Sequence, residues 1–178
     1  MKKEYNILNV IGNIGETWYH DGPTYWIRSL PFKPEGNESE KSSHYHCIRA
    51  KTLENSFFIT LILASTTFYS FFKSFSNCRD LGLDSINSFK FGIVDVRLNN
   101  IINDYEEILR TTSKKCSRRY KSGYIEYDEY YPAKSKNLLD CFDSYLSIMY
   151  EFTEEELDFI VNYDIKYRMG EELNNHID

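Results

Sequence analysis

The four cysteines of this 178-residue chain, Cys47, Cys78, Cys116 and Cys141, stand far apart and form no Cys-x-x-Cys pair. That spacing argues against a zinc ribbon and a disulfide framework and points to a reduced, cytoplasmic protein. The amino terminus, Met1-Lys2-Lys3-Glu4-Tyr5-Asn6-Ile7, has neither the apolar stretch nor the small-residue cleavage site of a secretory signal. A clean membrane span is missing too. The one stretch that approaches bilayer length, the eighteen uncharged residues Asn55 to Phe72, carries Asn55, Ser56, Thr60, Ser65, Thr66, Thr67 and Ser70. Such polar groups need partners once they leave water, so the stretch reads as a buried helix in a protein with no membrane partner.

What is present is enough apolar matter for one domain: 42% of residues are hydrophobic and 16% aromatic, with fifteen Tyr and twelve Phe. The net charge of -6 is unevenly placed. Residues 1 to 136 carry 19 Lys and Arg against 16 Asp and Glu, whereas residues 137 to 178 carry 2 against 11. Within the first part Arg110, Lys114, Lys115, Arg118, Arg119 and Lys121 form a basic run around Tyr120, and Lys134 and Lys136 follow. This run is the phosphate-binding candidate of the sequence.

With no repeat and no long linker, the chain reads as a single α/β (α+β) domain over 1–178. Its first part, 1–92, is a small irregular sheet packed on a central buried helix, and 93–178 is mainly helical. Short strands are expected at Ile7 to Ile11, Glu16 to Tyr19, Tyr25 to Leu30 and His44 to Ala50, with a surface loop over Lys33 to Lys41. Leu53, Phe57, Leu61, Ala64, Phe68, Phe72 and Phe75 have the spacing of one long core helix. A turn-rich connection, Asp80 to Phe91, includes a short strand at Ser88 to Phe91, and a helix follows from Asp95 to Thr112 with Leu98, Ile101, Ile102, Tyr105, Ile108 and Leu109 on one face. Leu138, Leu139, Phe142, Tyr145, Leu146 and Met149 form the apolar face of another helix. The last helix opens on a Thr153-x-x-Glu156 capping box with Glu154 to Glu156 at its positive end. Lys166 and Arg168 suit its negative end and Gly170 stops it.

Three constellations bear on chemistry. His44-x-His46, beside Cys47, places two imidazoles on one face of a strand, a metal-ligand spacing, but no distant Cys or His pair completes it, so these read as ordinary surface or half-buried residues. Asp164-Ile165-Lys166 matches the short half of a magnesium-dependent nuclease signature, but its place at the end of a capped helix favours a solvent-facing charge pair. The basic run is either the solvated end of a helix or a DNA-phosphate surface. Its density, with Tyr124, Tyr127, Tyr130 and Tyr131 nearby, favours the second.

Two phrases carry a family resemblance. The segment from Gly123-Tyr124-Ile125-Glu126-Tyr127-Asp128-Glu129-Tyr130-Tyr131-Pro132 through Phe152-Thr153-Glu154 to Met169 resembles the carboxyl terminus of restriction-modification proteins that fuse an adenine-N6 DNA methyltransferase to a target-recognition domain. Leu53-Glu54-Asn55-Ser56-Phe57-Phe58 and Ser76-Asn77-Cys78-Arg79-Asp80-Leu81 resemble the phrases that open and close the core helix of the TaqI-like specificity domain, and Tyr25-Trp26-Ile27-Arg28 and Lys41-Ser42-Ser43 resemble weaker features upstream. The similarity spans roughly residues 18 to 169. It departs at Asn77 and Asp80, where the family has an acid and a histidine.

The resemblance implies a non-catalytic domain that docks on double-stranded DNA and directs an adenine-N6 methyltransferase or endonuclease carried elsewhere in the same protein or complex. No Pro-Pro dipeptide exists to form an Asn-Pro-Pro-Tyr motif, and no glycine-rich cofactor-binding turn is visible. S-adenosylmethionine and magnesium therefore belong to the catalytic parts, not to this chain, which reads as a fragment, a split subunit or an excised domain. The expected DNA-binding residues are Lys114, Lys115, Arg118, Arg119, Lys121, Lys134 and Lys136 on phosphates, the Arg28 and Lys33 region, with Trp26, helping to choose sequence, and Lys41 and Arg79 as further DNA contacts. Two other readings stay open: a protein-docking module whose acidic tail and aromatic surface meet a basic partner, and a small nuclease using Asp164 and Lys166.

Overall fold

The computed structural model describes residues 6–35, 44–92, 98–120 and 123–170. Lys41 and Lys121, with the Lys41-Ser42-Ser43 phrase, lie outside the described residues. The architecture is α+β: a three-stranded antiparallel sheet at the amino-terminal side packs on a buried helix, a two-stranded hairpin follows, and helices form the rest.

Strand β1 (Ile11–His20) is central, flanked by β2 (Ser29–Leu30) and β3 (Tyr45–Ala50) in the order β2-β1-β3. Its period-two alternation turns Gly15, Thr17 and Tyr19 to the core and Glu16 and Trp18 outward. The residues before it, Ile7–Val10, form a 3-10 turn capped by Asn6 instead of the expected strand. The strand expected from Tyr25 shrinks to two residues, because Trp26 and Ile27 are buried outside the ladder. Gly15 is a requirement of packing: a Cβ there would lie 2.4 Å from Ser56 Oγ and 2.6 Å from the Thr52 carbonyl.

The apolar run after β3 is two helices, not one. Helix α1 (Leu53–Ala64) and α2 (Thr66–Phe75) meet at Ser65 with a 62° bend. Ser65 adopts extended geometry, its Oγ accepts the Phe68 N–H at 3.1 Å as the cap of α2, and the amides of Thr66 and Thr67 donate to the carboxylate of Asp143 at 3.0 and 2.9 Å. Hydroxyls at a would-be helix interior offer the backbone this alternative. A carboxylate seventy-seven residues away fixes it in place. Among the described residues no single helix is long and apolar enough to cross a membrane.

The rest of the core follows the apolar stripes. Helix α3 (Leu83–Ser88) occupies the connection where a strand at Ser88 to Phe91 was expected. Helix α4 (Leu98–Thr112) buries Leu98, Ile102, Tyr105 and Leu109, and its Tyr105 hydroxyl donates to the Ser29 carbonyl at 3.0 Å. Strands β4 (Lys114–Tyr120) and β5 (Gly123–Glu129) form the hairpin. Helix α5 (Lys136–Tyr150) buries Leu139, Phe142, Asp143 and Leu146. Helix α6 (Glu154–Val161) has the expected capping box, with Thr153 N–H donating to Glu156 Oε2 at 2.8 Å and Glu156 N–H to Thr153 Oγ1 at 3.2 Å. The chain then turns at Asp164, φ 54°, into the short α7 (Ile165–Met169), so the last helix is also interrupted.

Candidate nucleic-acid interface

Four cations of the basic run, Lys114, Lys115, Arg118 and Arg119, lie on β4, while Arg110 belongs to the last turn of α4. Cations so close together cannot be buried, and an antiparallel hairpin satisfies the backbone while projecting side chains to either face. Lys114 faces Glu129, Lys115 faces Asp128, Ser117 faces Glu126, Arg118 faces Ile125 and Arg119 faces Tyr124. Cross-strand neighbours stand close enough to interact. The acids of β5 therefore temper the cations at the base of the hairpin, and the uncharged Ile125 and Tyr124 stand opposite those towards its tip. Lys114, Lys115, Arg118 and Arg119 are exposed, and Tyr124 is 70% exposed.

The hairpin stands on a packed footing. Neither of its strands packs extensively against another element, but the next residue, Tyr130, is buried, meets Phe32 edge-on, and its hydroxyl accepts the Glu35 N–H at 3.3 Å. Arg110 lies over the Phe32 ring at 3.6 Å and pairs with Glu106 at 2.8 Å and Glu35 at 3.5 Å, which ties it to the footing. Lys114 lies 5.5 Å from the centroid of Tyr131, whose hydroxyl donates to Glu129 at 2.8 Å. A hollow lined by Glu35, Lys115, Ser117, Glu126 and Asp128 opens beside the base. Cys116 and Tyr127 complete its lining, whose charged groups are three acids and one lysine.

The other expected contacts scatter. Lys33 is exposed, two residues from Glu35 and so close to the hairpin's foot. Arg28 is half-buried near the opposite end of β1, where its charge reaches His20. Arg79 is exposed in the turn after α2, following Cys78 at φ 58°. Lys134 is exposed beside Asp104 and Glu107. Lys136 is a correction: its side chain is only 11% exposed, and its ammonium donates to Asp140 at 2.5 Å and to the Val161 carbonyl at 3.2 Å. It holds α5 against the end of α6 and is spent there. Trp26 is corrected as well, being buried at 7% exposure.

The two imidazoles of His44-x-His46 do converge, on a carboxylate the spacing could not reveal. His44 Nδ1 and His46 Nε2 each lie 2.9 Å from one oxygen of Asp21. Burial alone would raise the Asp21 carboxyl, but the bonds to His46 and His44 hold it below its ordinary value. His20 stacks on His44 at 5.4 Å, and burial, with the Arg28 charge, pushes its pKa down to about 4. Among the described residues no group of three His, Cys, Asp or Glu side chains is placed to hold a metal ion.

Asp164 is half-buried and Lys166 is exposed. Asp164 heads α7 and its Oδ2 accepts the Tyr69 hydroxyl at 3.3 Å. Arg168, expected at the negative end of the last helix, is 4% exposed. Its guanidinium carbon lies 3.9 Å from the Trp26 ring centroid and 4.8 Å from that of Tyr69, and it donates to the Tyr25 carbonyl at 3.1 Å and Thr66 Oγ1 at 2.9 Å. Burial lowers its pKa to about 10 and the neighbouring Asp143 opposes that shift. The Asp143 carboxyl is pushed above its ordinary value by burial, against the pull of its bonds to Thr67 and Thr66. This charged centre was missed because its members are scattered from Trp26 to Arg168; the one available signal was a serine-threonine run, Ser65-Thr66-Thr67, inside an otherwise apolar helix.

Comparison with protein-family models, with curated proteins and with solved structures finds no match to this chain.

Proposed function

We propose that this chain is a duplex-DNA recognition domain of the restriction-modification kind, acting in the cytoplasm beside an adenine-N6 methyltransferase or endonuclease that supplies the chemistry. The observation that supports this reading is the β4–β5 hairpin, an exposed cationic ribbon standing on an aromatic footing. A two-stranded ribbon is one of the shapes that B-DNA accommodates, and Lys and Arg on it neutralise phosphates with release of counterions. Lys115 and Arg119 point to one face and Lys114 and Arg118 to the other, so the ribbon can meet two phosphate rows at once. Base preference then falls to residues at its edges, Lys33 among them. In this reading S-adenosylmethionine and magnesium serve the partner's catalysis.

The test is fluorescence anisotropy of the chain with random-sequence duplex DNA across a salt series, with Arg118→Glu/Arg119→Glu alongside. Binding with a steep salt slope, lost in the double variant, supports the reading. Undiminished binding by the variant moves the interface elsewhere, and no binding at low salt removes the reading for the isolated chain.

A further inference from the structure

Among the described residues an aromatic slot, opposite in chemistry to the hairpin, lies open between α2 and α6. One wall is a single stripe of α2 that includes Phe71 and Phe75, the other is Phe159 and Ile160 of α6, and Tyr150 and Phe152 lie beneath, around a cavity of about 410 Å³. Its rings are continuous: Phe71 and Phe75 lie 5.0 Å apart and Tyr150 and Phe152 5.5 Å apart. The two lips are apolar side chains in solvent, Phe75 at 79% exposure and Phe159 at 65%. Helix α6 buries none of its residues. An exposed apolar surface of this kind is a feature of docking sites.

The surroundings say what fits. The charged side chain lining the slot is Lys90. Outside the lips the charge is negative: Glu155, one turn before Phe159, and Asp158 beside it are exposed on α6, and Asp84 shares an adjoining hollow with Phe75. Anionic lipid and nucleic acid are repelled by such a rim, while a cationic segment with bulky apolar side chains gains from both the slot and its border. An apolar groove between two helices accepts an amphipathic helix, anchored by side chains at three- and four-residue spacing.

We propose that this slot docks an amphipathic, basic helix of a partner protein, apolar on one face and rich in Lys and Arg on the other. The assignment is independent of DNA binding by the hairpin, since the two surfaces share no residue.

The probe is a fluorescein-labelled synthetic helix with Leu and Phe on one face and Lys on the other, titrated with the full chain and followed by anisotropy. Controls are a scrambled peptide of the same composition and a counterpart with Glu in place of every Lys. The basic amphipathic peptide is expected to bind at least about tenfold more tightly than either control, and Phe75→Ser/Phe159→Ser is expected to weaken it by about tenfold or more with unchanged circular dichroism and melting temperature. Glu155→Lys/Asp158→Lys should weaken the Lys peptide and strengthen the Glu one. Equal binding of the scrambled peptide, indifference to the phenylalanine substitutions, or no binding of any peptide overturns the proposal. So does a lower melting temperature of the phenylalanine variant, which would mean that the chain's own residues cover the slot, and so does binding to uncharged phosphatidylcholine vesicles in preference to the peptide.

Discussion

Arg168 lies flat over the indole of Trp26, 3.9 Å from its centroid, while the Trp26 Nε1–H donates to the carbonyl of the same arginine at 2.7 Å. The contact ties the segment before β2 to the short last helix across 142 residues of sequence. Arg168 also reaches Thr66 Oγ1 at the start of α2. One buried cation thus joins the beginning, middle and end of the fold.

Removing that cation should be among the costlier single changes in the molecule. Arg168→Met is expected to lower unfolding free energy by about 2–4 kcal/mol, because it strips partners from Thr66 and the Tyr25 carbonyl and one ring face from Trp26. Arg168→Lys should recover only part, having no planar fork to reach both acceptors. Urea denaturation of the two variants checks both statements.

Gly15→Ala should destabilise by about 1–3 kcal/mol, as overpacking does, since the added methyl would meet Ser56 Oγ at 2.4 Å and the Thr52 carbonyl at 2.6 Å. Ser56→Ala in the same chain removes the Oγ contact but leaves those to the Cβ of residue 56 at 2.7 Å and to the Thr52 carbonyl. The double variant is therefore expected to fall between wild type and Gly15→Ala in thermal melting.

Stability should fall on mild acidification through His20. Its folded pKa of about 4 lies below its ordinary 6.5, so the unfolded chain takes up a proton that the folded chain refuses. The contribution is whole above pH 6.5, shrinks as pH falls towards about 4, and is constant below. His20→Asn can still accept the Gly22 N–H that His20 Nδ1 accepts at 3.0 Å, and it does not titrate. The difference in unfolding free energy between wild type and this variant should change with pH only inside that window.

On the hairpin, position should matter more than charge. Lys115 faces Asp128 and Arg119 faces Tyr124, so Arg119→Ala should weaken DNA binding more than Lys115→Ala and reduce the salt slope by about 1. Both should act alike on all sequences, as phosphate contacts do. Equal effects of the two substitutions in the anisotropy titration would contradict this ordering.

The elements that the sequence specified well are those whose signal is local. The Thr153–Glu156 box spans one turn, the stripe Leu98, Ile102, Tyr105 and Leu109 is a period, and the alternation of His44 and His46 put both rings on one side. What misled were places where local and distant preferences compete. Leu53 to Phe75 has an unbroken apolar pattern, and its break at Ser65 is held by Asp143. Lys114 to Tyr120 could extend α4 by charge pattern, yet it pairs with β5. Lys136 and Arg168 look like surface cations in sequence, but an aspartate and a carbonyl hold one and two aromatic rings hold the other.

The amino-acid sequence by itself determined the α+β class, the core stripes, the helix starts and the separation of basic and acidic segments, because propensity, periodicity and composition act over a few residues. The tertiary structure alone decided which cations are spent inside and which remain outside, which carboxylate the two histidines share, and that among the described residues an aromatic slot lies between α2 and α6. Those outcomes depend on groups brought together across as many as 143 residues. Burial then sets whether a charge is paired in the core or left to water.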